Sequence, residues 1–209
     1  SGFHVVSDGS ALVLYTGATN DRIVFDNMWS NAGSGVASVH LADGSVFTRD
    51  DLVLMQMTGS TANDTLYGTA GADRLDGKGG KDLIVSYGGN DTYVYGSGYG
   101  QLEIRGSYAA GQTPVLQLGA GIQASSLRVT SDGYSLFLND GVAGDTVTLS
   151  GMWSYLNEGI AAVAFADGST LARAQITLAE MTGSTGNDTP YGSSAEDRPA
   201  GQGGRGLVH

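Results

Sequence analysis

Residues 59–94 read in nines as GSTANDTLY, GTAGADRLD, GKGGKDLIV and SYGGNDTYV. The sixth place of every block is an aspartate: Asp64, Asp73, Asp82 and Asp91. The eighth is a large apolar or aromatic residue: Leu66, Leu75, Ile84 and Tyr93. Glycine and other small residues dominate the first four or five places. Such a run lets the backbone turn sharply and aim carbonyl oxygens inward, because glycine tolerates positive φ. An aspartate at fixed phase adds a hard carboxylate to those carbonyls. An all-oxygen donor set suits Ca²⁺ better than a transition metal.

The last three residues of each block form a very short strand whose central side chain points into a core. One block cannot bury that side chain alone, so the blocks must stack. Regular phase in both the aspartates and the apolar residues separates this stretch from a glycine-rich, acidic linker.

The pattern resembles the GGxGxDxUx nonapeptide of the RTX calcium-binding family. The resemblance implies a right-handed parallel β-roll in which two nonapeptides make one turn. Asp64 then faces Asp82 along one edge and Asp73 faces Asp91 along the other, each pair holding one Ca²⁺. Carried over onto this sequence, the family's ligand pattern implies one site of Gly59, Thr61, Asp64, Lys78, Gly80 and Asp82. It implies a second of Gly68, Ala70, Asp73, Tyr87, Gly89 and Asp91. A degenerate fifth block, YGSGYGQLE from Tyr95, has Gly100 where aspartate belongs and Leu102 at the apolar place, and reads as a cap on the roll.

Composition agrees with a cation as partner. The formal net charge is −11, which argues against nucleic acid and anionic membranes, since both demand basic surface. Absence of cysteine excludes a disulfide framework and a thiolate metal site. No run of 18 apolar residues suggests a transmembrane segment, and the first residues do not read as a signal peptide. By the resemblance, export runs through an uncleaved C-terminal signal and a type I channel, so the expected location is secreted or cell-surface.

A longer period underlies the short one. Ser7-Asp8-Gly9 recurs as Ser131-Asp132-Gly133, an offset of 131 − 7 = 124. The same offset carries Met28-Trp29 to Met152-Trp153, Ala42-Asp43-Gly44-Ser45 to Ala166-Asp167-Gly168-Ser169, and Met57-Thr58-Gly59 to Met181-Thr182-Gly183. The chain therefore reads as about one and two-thirds copies of a long unit, with neighbouring repeats of a larger chain as expected partners.

The expected fold is all-β: a parallel β-roll flanked by short-stranded β domains. Residues 1–57 form the back of a first inter-roll segment, with antiparallel strands in LVLYTG, DRIVFDNMW and VASVHLADGSVF. Asp50-Asp51 and LVLMQM read as a short strand or a single helical turn. The roll occupies 58–98. Residues 99–182 form a complete inter-roll segment with strands in QLEIR, VLQLG, SLRVT, YSLFLN, DTVTLSGMW and IAAVAFA, either a sandwich or a continuation of the roll. SDGYSLFL, GDTVTLSGMW and IAAVAFADGSTL resemble the domain found beside hemolysin-type calcium-binding repeats. Residues 183–209 form a degenerate second roll block, where Pro190 and Pro199 replace apolar strand residues and no paired calcium site is expected.

The remaining candidates are weaker. His4, His40 and His209 lack metal spacing, Trp29 and Trp153 read as packing residues, and Asp43 and Asp167 read as turn residues. No arrangement supports catalysis, so the chain is not expected to be an enzyme. The leading reading is a calcium-binding structural module of a secreted protein, folding on Ca²⁺ after export. One alternative is a calcium-dependent carbohydrate-binding or adhesion module, with extracellular glycan met by Tyr87, Tyr93, Tyr95 and Tyr99. Another is the non-catalytic export and folding region of an extracellular enzyme.

Overall fold

Glycine and aspartate interrupt the chain every few residues, so its strands are short and must stack to bury their alternate side chains. The computed structural model describes residues 3–16 and 21–182. It opens on an antiparallel ladder of β1 (Phe3–Ser7), β2 (Leu12–Thr16) and β3 (Arg22–Phe25). A hairpin of β4 (Ser38–His40) and β5 (Val46–Thr48) leads into α1 (Arg49–Gln56). The segment that reads as strand or single turn is thus a helix of 8 residues. A capping box decides it: Thr48 Oγ1 accepts the Asp51 N–H at 3.2 Å, and Asp51 accepts the Thr48 N–H at 2.8 Å.

The roll follows as β6 (Thr65–Tyr67), β7 (Arg74–Asp76), β8 (Gly80–Ser86), β9 (Thr92–Tyr95), β10 (Gly100–Gly106) and β11 (Val115–Leu118). After the hairpin β12 (Arg128–Ser131) and β13 (Leu136–Asn139) come β14 (Thr146–Leu149), β15 (Ala162–Ala164), β16 (Thr170–Ala172) and α2 (Arg173–Thr182). Alternate strands join opposite sheets. One sheet has the order β12-β13-β14-β10-β8-β6 and the other β16-β15-β11-β9-β7.

From β6 to β15 every pairing along the roll is parallel. Strands β10, β11, β14 and β15 of residues 99–182 therefore continue the roll rather than build a sandwich of their own, and β12, β13 and β16 add to its sheets antiparallel. Leu66, Ile84, Ile104 and Leu149 line its interior from one sheet; Leu75, Tyr93, Leu116 and Val163 face them from the other, all buried. Among the described residues no helix is long and apolar enough to cross a membrane.

Register changes along the roll. Leu66 lies level with Ile84, a step of 84 − 66 = 18. Ile84 lies level with Ile104, a step of 104 − 84 = 20, and Tyr93 with Leu116, a step of 116 − 93 = 23. The fifth block is thus two residues out of the expected phase. Gly100 sits level with Gly80, and Leu102 sits level with Asp82. Two extra residues in the turn between β9 and β10 cause the shift.

The long repeat is visible in the elements. Shifted by 124, β12, β13, β14, β15 and β16 fall on β1, β2, β3, β4 and β5, and α2 falls on α1. Arg49 and Arg173, at the first positions of the helices, make equivalent contacts. Arg49 donates to the carbonyls of Ser34 at 2.6 Å, Asn31 at 3.1 Å and Met28. Arg173 donates to those of Glu158 at 2.5 Å, Tyr155 at 2.6 Å and Met152. Each guanidinium fork gathers one loop's carbonyls onto the start of one helix. The expected degenerate block at 183–209 lies outside the described residues.

Ile104 packs between Ile84 and Leu149 across three layers. Ile104→Ala is expected to destabilise the calcium-loaded protein by about 2–5 kcal/mol, read as a shift of the denaturant midpoint.

Candidate metal centre

The two lower aspartates each close the turn that precedes their strand. Asp64 Oδ2 accepts the Ser60 N–H at 2.7 Å and the Ser60 hydroxyl at 2.9 Å. Asp73 accepts the Thr69 N–H and the Thr69 hydroxyl in the same way. The next layer reaches back. Asp82 Oδ1 accepts the Asp64 N–H at 2.9 Å, and Asp91 Oδ1 accepts the Asp73 N–H at 3.0 Å. Asp64 with Asp82, and Asp73 with Asp91, therefore stand in adjacent layers on the two edges of the roll. Above them the series ends: Leu102 is level with Asp82, while the Val115 N–H bonds the Asp91 carbonyl, directly after Pro114.

Glycine lets these turns approach. A Cβ on Gly77 would lie 2.5 Å from Asp82 Oδ2, and one on Gly59 would lie 2.5 Å from the Gly77 carbonyl oxygen and 3.0 Å from Asp64 Oδ2. Gly89 has φ +110°, and a Cβ there would lie 1.8 Å from the Gly71 carbonyl oxygen. Lys78 adopts φ 62°, a left-handed conformation uncommon for residues other than glycine.

The other residues expected as carbonyl donors are distributed along the same turns. Gly80 and Gly89 are in positive-φ backbone in the upper turns. Thr61 and Ala70 are exposed at the bends of the lower turns. The Gly59 N–H bonds the Asp76 carbonyl at 2.7 Å, and the Gly68 N–H bonds that of Val85 at 2.8 Å. The Tyr87 side chain is 55 % exposed, so only its backbone belongs to the turn. Among the described residues no three His, Cys, Asp or Glu side chains converge on one point. A cation here would be held by a carboxylate pair completed from backbone oxygens, a hard, calcium-type donor set.

Electrostatics make the upper carboxylates the sensitive ones. Burial pushes Asp82 up to about 6, and the neighbouring carboxylates of Asp64 and Asp76 add repulsion, against the Asp64 N–H. Burial also raises Asp91, opposed by hydrogen bonds from the Ser86 hydroxyl and the Asp73 N–H, with Asp73 adding repulsion. These are the terms that a bound divalent cation offsets.

Several contributors escaped the sequence reading. Buried Ser86, in a place that pattern-matching assigns to glycine, bonds Asp91 Oδ2. Asn63 Oδ1 accepts the Lys81 N–H at 2.9 Å, and Asn90 Oδ1 accepts the Thr113 N–H at 2.7 Å. The Asn-Asp pairs thus make rungs between turns, and their recurrence in the first and fourth blocks was the available signal. The four suspected tyrosines form no exposed stripe: Tyr93 and Tyr95 are buried in the roll. Trp29 packs in the core and donates from Nε1 to the Gly68 carbonyl at 3.1 Å. Asp43 and Asp167 bond the Ser45 and Ser169 N–H groups at 2.8 Å, as turn residues do.

Residues 58–93 and 67–102 match the family model of the RTX calcium-binding nonapeptide repeat (4 copies). The stretch 58–102 is thus made of RTX repeats, and such repeats bind Ca²⁺. No curated protein matches the chain. A solved structure, that of the extracellular lipase LipA from Serratia marcescens, is similar at 16% identity and a TM-score of 0.31. The similarity covers 72% of this chain and 28% of that one.

Two outcomes are expected. Gly89→Ala forces a side chain into left-handed backbone, which alone is worth about 1–3 kcal/mol, and against the Gly71 carbonyl. Its thermal midpoint in calcium should fall further than that of Gly44→Ala, where a Cβ meets nothing within 4 Å. For Asp82, the folded value near 6 lies above the ordinary aspartate value of about 3.9. In chelator its ionisation therefore removes stability as pH rises from about 4 to 6. Comparing the protein with Asp82→Asn in chelator, by the β signal retained at each pH in far-UV circular dichroism, cancels the other carboxylates. A difference that stays flat across this window would show that Asp82 is not raised.

Proposed function

We propose that the chain, which carries RTX repeats over residues 58–102, is a calcium-dependent structural module of a secreted protein. The observation that carries this reading is the pairing of Asp64 with Asp82 and of Asp73 with Asp91 in adjacent layers, with the upper member of each pair buried. One Ca²⁺ would lie at each pair. The carbonyls of Gly59, Thr61, Lys78 and Gly80 would serve the first, and those of Gly68, Ala70, Tyr87 and Gly89 the second.

The work done is ion-gated folding. Ordering so many glycines opposes folding, and burying a carboxylate beside another opposes it further. Calcium neutralises the pair, fixes the turns and lets the three-residue strands stack. Linkage at a hundredfold excess over the dissociation constant adds roughly 2.7 kcal/mol per site. Extracellular calcium modules bind at about 10⁻⁴–10⁻³ M, so a calcium-poor cell interior would leave the chain loose for export and the outside would fold it. Neighbouring repeats of a longer chain would stack on either end.

Asp82→Asn separates charge from hydrogen bonding, because an amide oxygen still accepts the Asp64 N–H. In chelator at pH 7 the variant should show at least as much residual β signal as the parent. In a calcium titration followed by far-UV circular dichroism, its midpoint should move at least about tenfold, the loss of one charged ligand being worth 1.4 kcal/mol or more. A parent spectrum that calcium leaves unchanged, with full β signal in chelator, would sink the ion-gated reading.

A further inference from the structure

The two copies of the long unit sit in different surroundings, and the difference identifies an open docking edge. In the second copy β14 pairs in parallel with β10, and β15 pairs in parallel with β11. In the first copy the equivalent β3 is the last strand of its sheet, and β4 pairs with β5 alone among the described residues. Exposure follows: Val147 in β14 is 1% exposed, whereas Ile23, its equivalent in β3, is 45% exposed. Val163 in β15 is fully buried, whereas Val39 in β4 is only partly so.

The frame around the edge is already set. Arg49 holds the first copy's loop as Arg173 holds the second's, so β3 and β4 are presented as β14 and β15 are. The polar groups are in place as well. In the second copy the N–H groups of Ser150, Gly159 and Ala161 donate to the carbonyls of Ile104, Gly106 and Pro114 at 3.0, 2.9 and 2.8 Å. Asp26, Gly35 and Ala37 stand at the equivalent positions. Asp145 accepts the N–H groups of Gly98 and Gly100, at 2.5 and 3.0 Å, from the turn that leads into β10. Its equivalent, Asp21, is exposed.

We propose that the edge formed by β3 and β4 is a strand-accepting site for the end of a preceding roll. Its occupant is a turn of the β10–β11 kind, entering parallel to β3. The equivalence also fixes the register: the occupant's counterparts of Gln101, Leu102, Glu103 and Ile104 lie opposite Arg22, Ile23, Val24 and Phe25. Asp21 catches the glycine turn ahead of that strand. This is β-augmentation with a sequence-defined partner. It rests on the tandem-array part of the reading above, not on the calcium chemistry.

The test joins a second copy of residues 58–124 directly ahead of Ser1, the junction that the 124-residue period dictates. Hydrogen exchange in calcium should then slow at the amides of 22–25 and 38–40 by at least about tenfold relative to the original chain, as for strands moved from an edge to an interior. Ile23→Asp should abolish that gain in the extended chain. In the original chain, where the side chain is half in water, it should leave the thermal midpoint nearly unchanged. Unchanged exchange at 22–25 in the extended chain overturns the docking site. A calcium response retained in the same samples would show that the calcium reading stands apart from it. Sedimentation of the original chain as a dimer, with 22–25 protected only at high concentration, also overturns the proposal, since the edge would then take a second copy instead.

Discussion

A carboxylate buried one layer above another carboxylate is the constraint on which the roll depends. Asp82 accepts the N–H of Asp64, and Asp91 that of Asp73, so each aspartate marks the level of the turn beneath it. That bond fixes register, yet it leaves negative charge in a poorly solvated place, and a single neutral N–H does not offset it. In the function proposed above, the remedy is a cation at the same level. For it to enter, the turns must close around backbone oxygens with almost no side-chain volume. Glycine at Gly59, Gly77 and Gly89 supplies that closeness, and it also raises the entropic cost of ordering the segment.

How far the sequence reveals this depends on which physical signal each feature leaves. The phase of aspartate and apolar residues is rigid between 59 and 94, because each turn there is built alike. Strands, inward side chains and paired aspartates all follow from it. Beyond Val94 the pattern stays legible in face but not in register. A slip of two residues returns every side chain to the same side of the sheet, so Leu102 and Ile104 fit the core pattern equally well, and the longer turn before β10 decides between them. Helix α1 was hidden for a different reason. Its apolar residues, Leu52 to Met55, run consecutively and show no helical spacing, so the evidence for it lies in the Thr48–Asp51 cap rather than in periodicity.

Residues that act through backbone groups were the least visible. Arg49 and Arg173 look like isolated surface cations in the sequence, yet each gathers carbonyls from a loop some twenty residues earlier. Asn63 and Asn90 resemble glycosylation sequons, whereas the structure uses them as rungs. Tyr93 and Tyr95 look like candidates for a sugar platform, but the strands turn both rings into the core. In each case the residue type permits two roles, and only the strand's face or the loop's position selects one.

The roll must also manage its ends, since parallel strands stacked without limit leave open edges. At its start, α1 and the loop between β3 and β4 do the blocking. In the amide orientation that matches donors to acceptors, Gln56 bonds both the N–H and the C=O of Tyr67 at 3.0 Å. The Trp29 indole covers the adjacent Gly68 carbonyl. At its far end the chain changes direction: β13 and β12 add antiparallel to one sheet and β16 to the other, so the parallel stack stops. Both devices come from the same repeated unit, once ahead of a roll and once behind one. With the docking edge proposed above, a unit of this kind would be a two-sided coupler, with one side shaped to start a roll and the other to receive its end. On the ion-gated reading proposed above, the segment between two couplers would order or loosen with calcium while the Arg-clamped frames on either side keep their shape.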